Sequence, residues 1–120
     1  MKDDRIYLTH IAEGLKTILM YVEHVDYVAF MKDRKTQDAC IRQFEVIGEA
    51  TKRLSSDFRQ RFPQVQWKYL AKMRDKLIHD YFDVDLEIVW QTISVDVVPT
   101  LIEIEFINTT IESGLSDQID

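Results

Sequence analysis

The chain has a single cysteine, Cys40, among 120 residues, so no disulfide can form within it. That points to a reducing compartment such as the cytoplasm. Glycine and proline are scarce, with three and two copies, which speaks against a turn-rich β-sandwich and against a disordered chain. The glycines, Gly14, Gly48 and Gly114, form no phosphate-cradling loop, and none is followed by serine. P-loop and dinucleotide chemistry are thereby set aside, as is the Gly-Ser turn that opens a nucleotidyltransferase site. No apolar run approaches the ~20 residues needed to cross a bilayer. The opening residues MKDDRIYLTH carry two aspartates and no apolar stretch, unlike a secretory signal.

Basic residues are also missing from one end. Residues 1–56 balance nine bases against nine acids, and residues 57–76 hold six bases (Arg59, Arg61, Lys68, Lys72, Arg74, Lys76) against Asp57 and Asp75. Residues 77–120 contain ten acids and no lysine or arginine, which brings the net charge to −6. An acidic chain is a poor indiscriminate binder of nucleic acid. A local basic band still permits contact with phosphates.

What the chain does have is helical periodicity. Hydrophobic residues make up 46% of it, enough for a core. Leu8, Ile11, Leu15, Ile18, Val22 and Val25 recur at three- and four-residue steps, predicting a helix over 4–25 with Asp3 or Asp4 as its cap. DYVAFMKDRK breaks the period and suits a short helical turn. A second long helix is expected from about Thr36, with Cys40, Phe44, Ile47, Thr51 and Leu54 inside and Glu45, Glu49, Lys52 and Arg53 around them. SSDFRQRFP reads as a short helix or turn ended by Pro63. A third helix starts near Trp67, and DVD (83–85) is a break. Asp85 then caps a fourth helix whose stripe is Leu86, Val89, Trp90, Ile93, Val97, Leu101 and Ile104, kinked by Pro99. TLIEIEF alternates as a strand would, but the helical stripe runs through it. The expected fold is all-α: an up-and-down bundle of four main helices plus short helical turns, one domain over 1–112 with a frayed tail at 113–120.

One stretch, MRDKLIHDYF (73–82), does not fit a purely structural helix. On a wheel of ~100° per residue, Trp67, Leu70, Met73 and Leu77 share a stripe, and Arg74 and Tyr81 fall within it. A guanidinium cannot neutralise by losing its proton, so Arg74 needs a carboxylate, a phosphate or a wetted cleft. Glu45 and Glu49 are candidate internal partners. His79 lies about 140° from Arg74 on an ideal helix. The two converge only if the helix ends before His79 or if two subunits share a site. His79, Asp80, Asp83 and Asp85 are dense enough to raise a metal site, but caps and a solvated loop account for the aspartates more simply. Cys40 and the tryptophans Trp67 and Trp90 read as packing. His10 and His24 read as surface or half-buried residues, and Tyr7, Tyr21, Tyr27 and Tyr69 carry no separate signal.

Arg74, His79 and Tyr81 match R-x4-H-x-Y, and in this the chain resembles HepT-like proteins of the HEPN superfamily. FEVIGEATKRLS (44–55) is similar to that family's mid-chain helix, and FPQVQWKYLAKMRDKLIHDYFDVDLEIVW (62–90) to its long signature block. Asp75 stands where many relatives have Asn, and Asp83 where many have Gly. The resemblance implies a HEPN-like helical homodimer with two motifs facing across a cleft. It implies a metal-independent endoribonuclease toxin that needs no cofactor and acts on tRNA or mRNA. It further implies a partner, a minimal nucleotidyltransferase antitoxin of the MntA type, which silences the toxin by placing AMP on Tyr81.

The residues suit that chemistry. His79, with an ordinary pKa near ~6.5, serves as base or acid. Arg74 offers a planar fork to the charge growing on a phosphate. Asp75, Lys72, Lys76, Glu45 and Glu49 are candidates for supporting roles or RNA contacts. A second reading keeps the fold but not the cleavage: a non-catalytic HEPN-type module for dimerisation and binding.

Overall fold

The structure, a computed structural model, describes residues 2–77 and 84–114, without the side chains of Lys2, Arg74 and Leu77. Four of the described helices start in the same way. Asp26 caps α2 (Tyr27–Lys32) by accepting from the Ala29 N–H at 2.8 Å. Asp33 caps α3 (Arg34–Arg53) by accepting from the Thr36 N–H, and the Thr36 hydroxyl donates to its other oxygen at 2.6 Å. Ser55 caps α4 (Ser56–Arg61) through Phe58 N–H. Asp85 caps α6 (Leu86–Val95) through Ile88 N–H, the role expected for it. In each case a short polar side chain satisfies an N–H that the first helical turn leaves open.

The first helix, α1 (Lys2–Tyr21), stops four residues short of the expected end. Beyond Tyr21 the chain turns, with His24 at φ 63°, a left-handed conformation that cannot continue a helix. Asp4, put forward as an α1 cap, reaches across the fold instead. Its two oxygens accept from the Ser55 N–H (2.7 Å) and hydroxyl (2.8 Å). One carboxylate thus ties the start of α1 to the cap of α4.

The expected fourth helix is two. α6 ends at Val95, Asp96 bridges, and α7 runs Val97–Glu112. Pro99 explains the position of the break. Its ring would clash with the carbonyl four residues back, at Val95. Restarting the helix at Val97 places Pro99 in a first turn, where no N–H is required. TLIEIEF is helical within α7.

α3 lies between α1 and α5 (Trp67–Leu77), and α1 also packs on α7. The core draws on every helix, through residues such as Leu8, Phe30, Phe44, Phe58, Leu70, Val89 and Ile104. All five residues predicted for the inner stripe of α3 are buried. Trp67 and Trp90 pack as expected. Trp67 sits 6.0 Å from the Phe58 ring and its indole donates to the Phe62 carbonyl, and Trp90 lies 5.0 Å from Phe30. The described chain is an all-α bundle, and none of its described helices is long and apolar enough to cross a membrane.

Gly14 sets the α1–α3 distance. A Cβ there would lie 2.7 Å from Ile47 Cγ1 and 3.1 Å from its Cδ1. Only a residue without a side chain lets the two backbones approach this closely.

Candidate functional site

A cleft of about 480 Å³ lies between α1, α3 and α5. Tyr7 and His10 line it from α1, Arg42, Glu45, Glu49, Lys52 and Arg53 from α3, and Ala71 from α5. Its charged groups follow from the α3 pattern. The stripe from Cys40 to Leu54 turns inward, so positions 42, 45, 49, 52 and 53 fall on the outer half of the helix. Three cations face two carboxylates. Tyr7 and His10, one turn apart, meet edge to face with ring centroids 6.3 Å apart. The small side chain of Ala71 leaves the floor open. Such a cleft is suited to a phosphate-bearing ligand: guanidinium and ammonium groups for the anion, aromatic faces for a base.

The predicted site residues distribute as follows. Glu45 and Glu49 come together in this cleft. Arg74 belongs to α5, one turn beyond Ala71, but its side chain lies outside the described residues, as do His79 and Tyr81. The pairing of Arg74 with Glu45 or Glu49 therefore also falls outside them. Lys72 and Asp75 are exposed. Lys76 stands apart from the cleft: its ammonium lies 4.9 Å from the centre of the Tyr69 ring, in a groove of about 420 Å³ shared with Asp96 and Glu103. Of the metal-site rival, Asp85 is a helix cap, and His79, Asp80 and Asp83 lie outside the described residues.

Tyr7, His10 and Arg42 were not singled out from the sequence. The signal was faint but present. Tyr7 and His10 are three apart on α1, and Arg42 opens a series of charged α3 residues at helical spacing. Tyr69, read as carrying no signal, joins α5 to the α6–α7 break through a 2.9 Å hydrogen bond from its hydroxyl to Asp96 Oδ2. Burial, and then that bond, raise its phenol above the usual pKa. Cys40 is fully buried, and burial pushes its thiol up to about 11, so it is packing rather than a nucleophile.

A helical bundle with a mixed-charge cleft beside an Arg-bearing helix defines the class: an all-α protein with a cleft whose charges suit a phosphate ester. The family is specific. Residues 11–107 match the model of the family described as "Ribonuclease HepT-like", and the chain belongs to that family. It is 46% identical over 111 residues to "Putative RNase MJ0127" of Methanocaldococcus jannaschii, covering 92% of each chain. It is 43% identical over 91 residues to "Probable ribonuclease HepT" of Thermococcus cleftensis, covering 76% of this chain and 83% of that one. "Putative RNase TTE0752" of Caldanaerobacter subterraneus is also 43% identical, over 78% of this chain and 83% of that one. No solved structure matches the chain.

Proposed function

We propose that the chain is a metal-independent endoribonuclease, acting in the cytoplasm as the toxin of a HEPN/MNT pair. The observation that carries the reading is the placement of α5 against α3. Ala71 lines a cleft furnished with Arg42, Lys52 and Arg53, and Arg74 follows Ala71 by one turn. Family membership and the relatives named as RNases supply the ribonuclease class.

In the proposed reaction the 2′-hydroxyl of a tRNA or mRNA nucleotide loses its proton to one His79. Its oxygen attacks the adjacent phosphorus in line and displaces the 5′-oxygen. The second His79 of a homodimer gives that oxygen a proton, leaving a 2′,3′-cyclic phosphate and a 5′-hydroxyl. Arg74 meets the charge that grows on the non-bridging oxygens. The cations of the cleft hold the flanking phosphates, and Tyr7 stacks on a base. Asp75, Lys72 and Lys76 serve as outlying contacts. The MntA-type antitoxin transfers AMP from ATP to the Tyr81 oxygen, with release of pyrophosphate. This adds bulk and a phosphate charge where RNA must bind.

The test is cleavage of tRNA by the purified chain in excess EDTA. Wild type cuts, and Arg74→Ala and His79→Ala each abolish cutting with helicity unchanged by circular dichroism. Chain carrying AMP on Tyr81 is inactive. RNA binding without cleavage by the wild type would make the chain a non-catalytic binding module instead.

A further inference from the structure

α7 is apolar on both sides. Val97, Ile104, Ile107 and Ile111 are buried against the bundle. On the opposite side Val98, Ile102 and Phe106 follow at four-residue steps, in line on one helical face. They are 48, 63 and 67% exposed, and Val95 at the end of α6 is 60% exposed. A surface helix ordinarily turns polar residues to water. A row of large apolar side chains on the solvent side marks a surface that something covers.

The borders of the row say what covers it. Glu105 and Glu112 edge one side and Glu103 the other. Against these three glutamates stand two lysines of the same chain, Lys16 of α1, which pairs with Glu105 at 3.2 Å, and Lys76 of α5, which lines a groove with Glu103 and Asp96. Residues 77–120 contain no lysine or arginine. Nucleic acid is repelled by such edges. A second copy docked through the same face about a two-fold axis would set acids against acids, and like charges juxtaposed across an interface are costly. The row spans only ~12 Å from Val98 to Phe106 at 1.5 Å per residue. That is short of the ~800 Å² per partner of a standard flat interface. It matches a helix laid into a groove, with anchors at regular helical spacing.

We propose that the outward face of α7 is a docking surface for a protein partner presenting an apolar groove or helix face edged with lysine and arginine. Ile102 and Phe106 are its anchors, and Glu103 and Glu105 select the basic partner. The surface shares no residue with the cleft of α1, α3 and α5, and the inference does not depend on the ribonuclease reading.

The test uses the full chain and two fluorescent synthetic helical peptides with the same leucine stripe. One is flanked by lysine and arginine, the other by glutamate. Anisotropy titration is expected to show the basic peptide binding at least about tenfold more tightly, a difference of ~1.4 kcal/mol. The double substitution Ile102→Ser with Phe106→Ser, both on exposed positions, weakens that binding by about tenfold or more. Glu103→Lys with Glu105→Lys removes the preference for the basic peptide. Thermal melts confirm that the variants are folded. Equal affinity for the two peptides, no binding of either, or undiminished binding by the serine variant would overturn the proposal. So would sedimentation showing that the serine substitutions dissociate a dimer, because the occupant would then be a second copy.

Discussion

Replacing Gly14 by alanine tests the spacing of α1 and α3. The added Cβ would lie 2.7 Å from Ile47 Cγ1 and 3.1 Å from Cδ1. Carbon atoms rest at about 3.5–4.0 Å, so Ile47 or a whole helix must give by roughly 1 Å. Ile47 is fully buried, and Cγ1 is not the free end of its side chain. The relief therefore falls on the α1–α3 spacing. Overpacking of this kind costs about 1–3 kcal/mol. Alanine returns about 1 kcal/mol through its better helix propensity. A net loss of roughly 1–2 kcal/mol is expected, read as a lower urea midpoint with unchanged slope. The decisive assay is a double-mutant cycle with Ile47→Ala, which removes both clashing atoms. That single change costs about 2–5 kcal/mol as a cavity, but Gly14→Ala in its background should be neutral or stabilising. A coupling of at least about 1 kcal/mol is expected from two residues in contact. A stabilised Gly14→Ala single variant, or strictly additive effects, would show that the helices are not held at this distance.

Two further outcomes are expected. Asp4→Ala removes a buried carboxylate, 6% exposed, from two hydrogen bonds to Ser55. It should cost about 1.5–3 kcal/mol by urea unfolding, with Asp4→Asn intermediate because its amide oxygen still accepts. Cys40, with its thiol pushed up to about 11, should resist Ellman's reagent at pH 8 in the native protein and react at once in denaturant. Its folded pKa lies above the unfolded value, so its contribution to stability is whole below pH ~9 and declines as the pH climbs toward 11. Cys40→Ala should flatten that alkaline decline, and denaturant melts at pH 8 and pH 10.5 read it.

Much of the architecture was legible because it rests on local rules. Three- and four-residue spacing located the buried faces of α1, α3 and α6, and Asp85 is visible as a cap in the sequence itself. What stayed hidden depends on contacts between distant positions. Nothing around Asp4 signals that it bonds a residue 51 positions away. Gly14 sits in an ordinary helical pattern, and only its neighbour across the helix crossing explains why no Cβ is tolerated. Pro99 announced a disturbance, and the chain breaks at Asp96, whose side chain accepts from Tyr69, a contact between positions 27 apart that periodicity does not show. Glu45 and Glu49 were read as candidate partners of Arg74; they line the cleft, and the Arg74 side chain lies outside the described residues. Tyr7, His10 and Arg42 belong to the same cleft through tertiary proximity that periodicity does not encode.

The distribution of charge carries the separation of the two surfaces. Every lysine and arginine lies within residues 1–76, and residues 77–120 hold ten acids. Because α3 and α5 come from the first segment and α6 and α7 from the second, folding turns an asymmetry along the chain into an asymmetry in space. At physiological salt, exposed charges more than ~8 Å apart are largely screened. The net charge of −6 therefore does not prevent Arg42, Lys52 and Arg53 from attracting a phosphate locally. The same screening keeps the acids beside α7 from disturbing that cleft. Raising the salt should accordingly weaken RNA binding through the cleft and peptide binding through α7 by independent amounts. Neutralising Glu103 and Glu105 should change the second and leave the first alone. If it shifted RNA affinity as well, the two surfaces would be coupled, and the separation argued from chain order would fail.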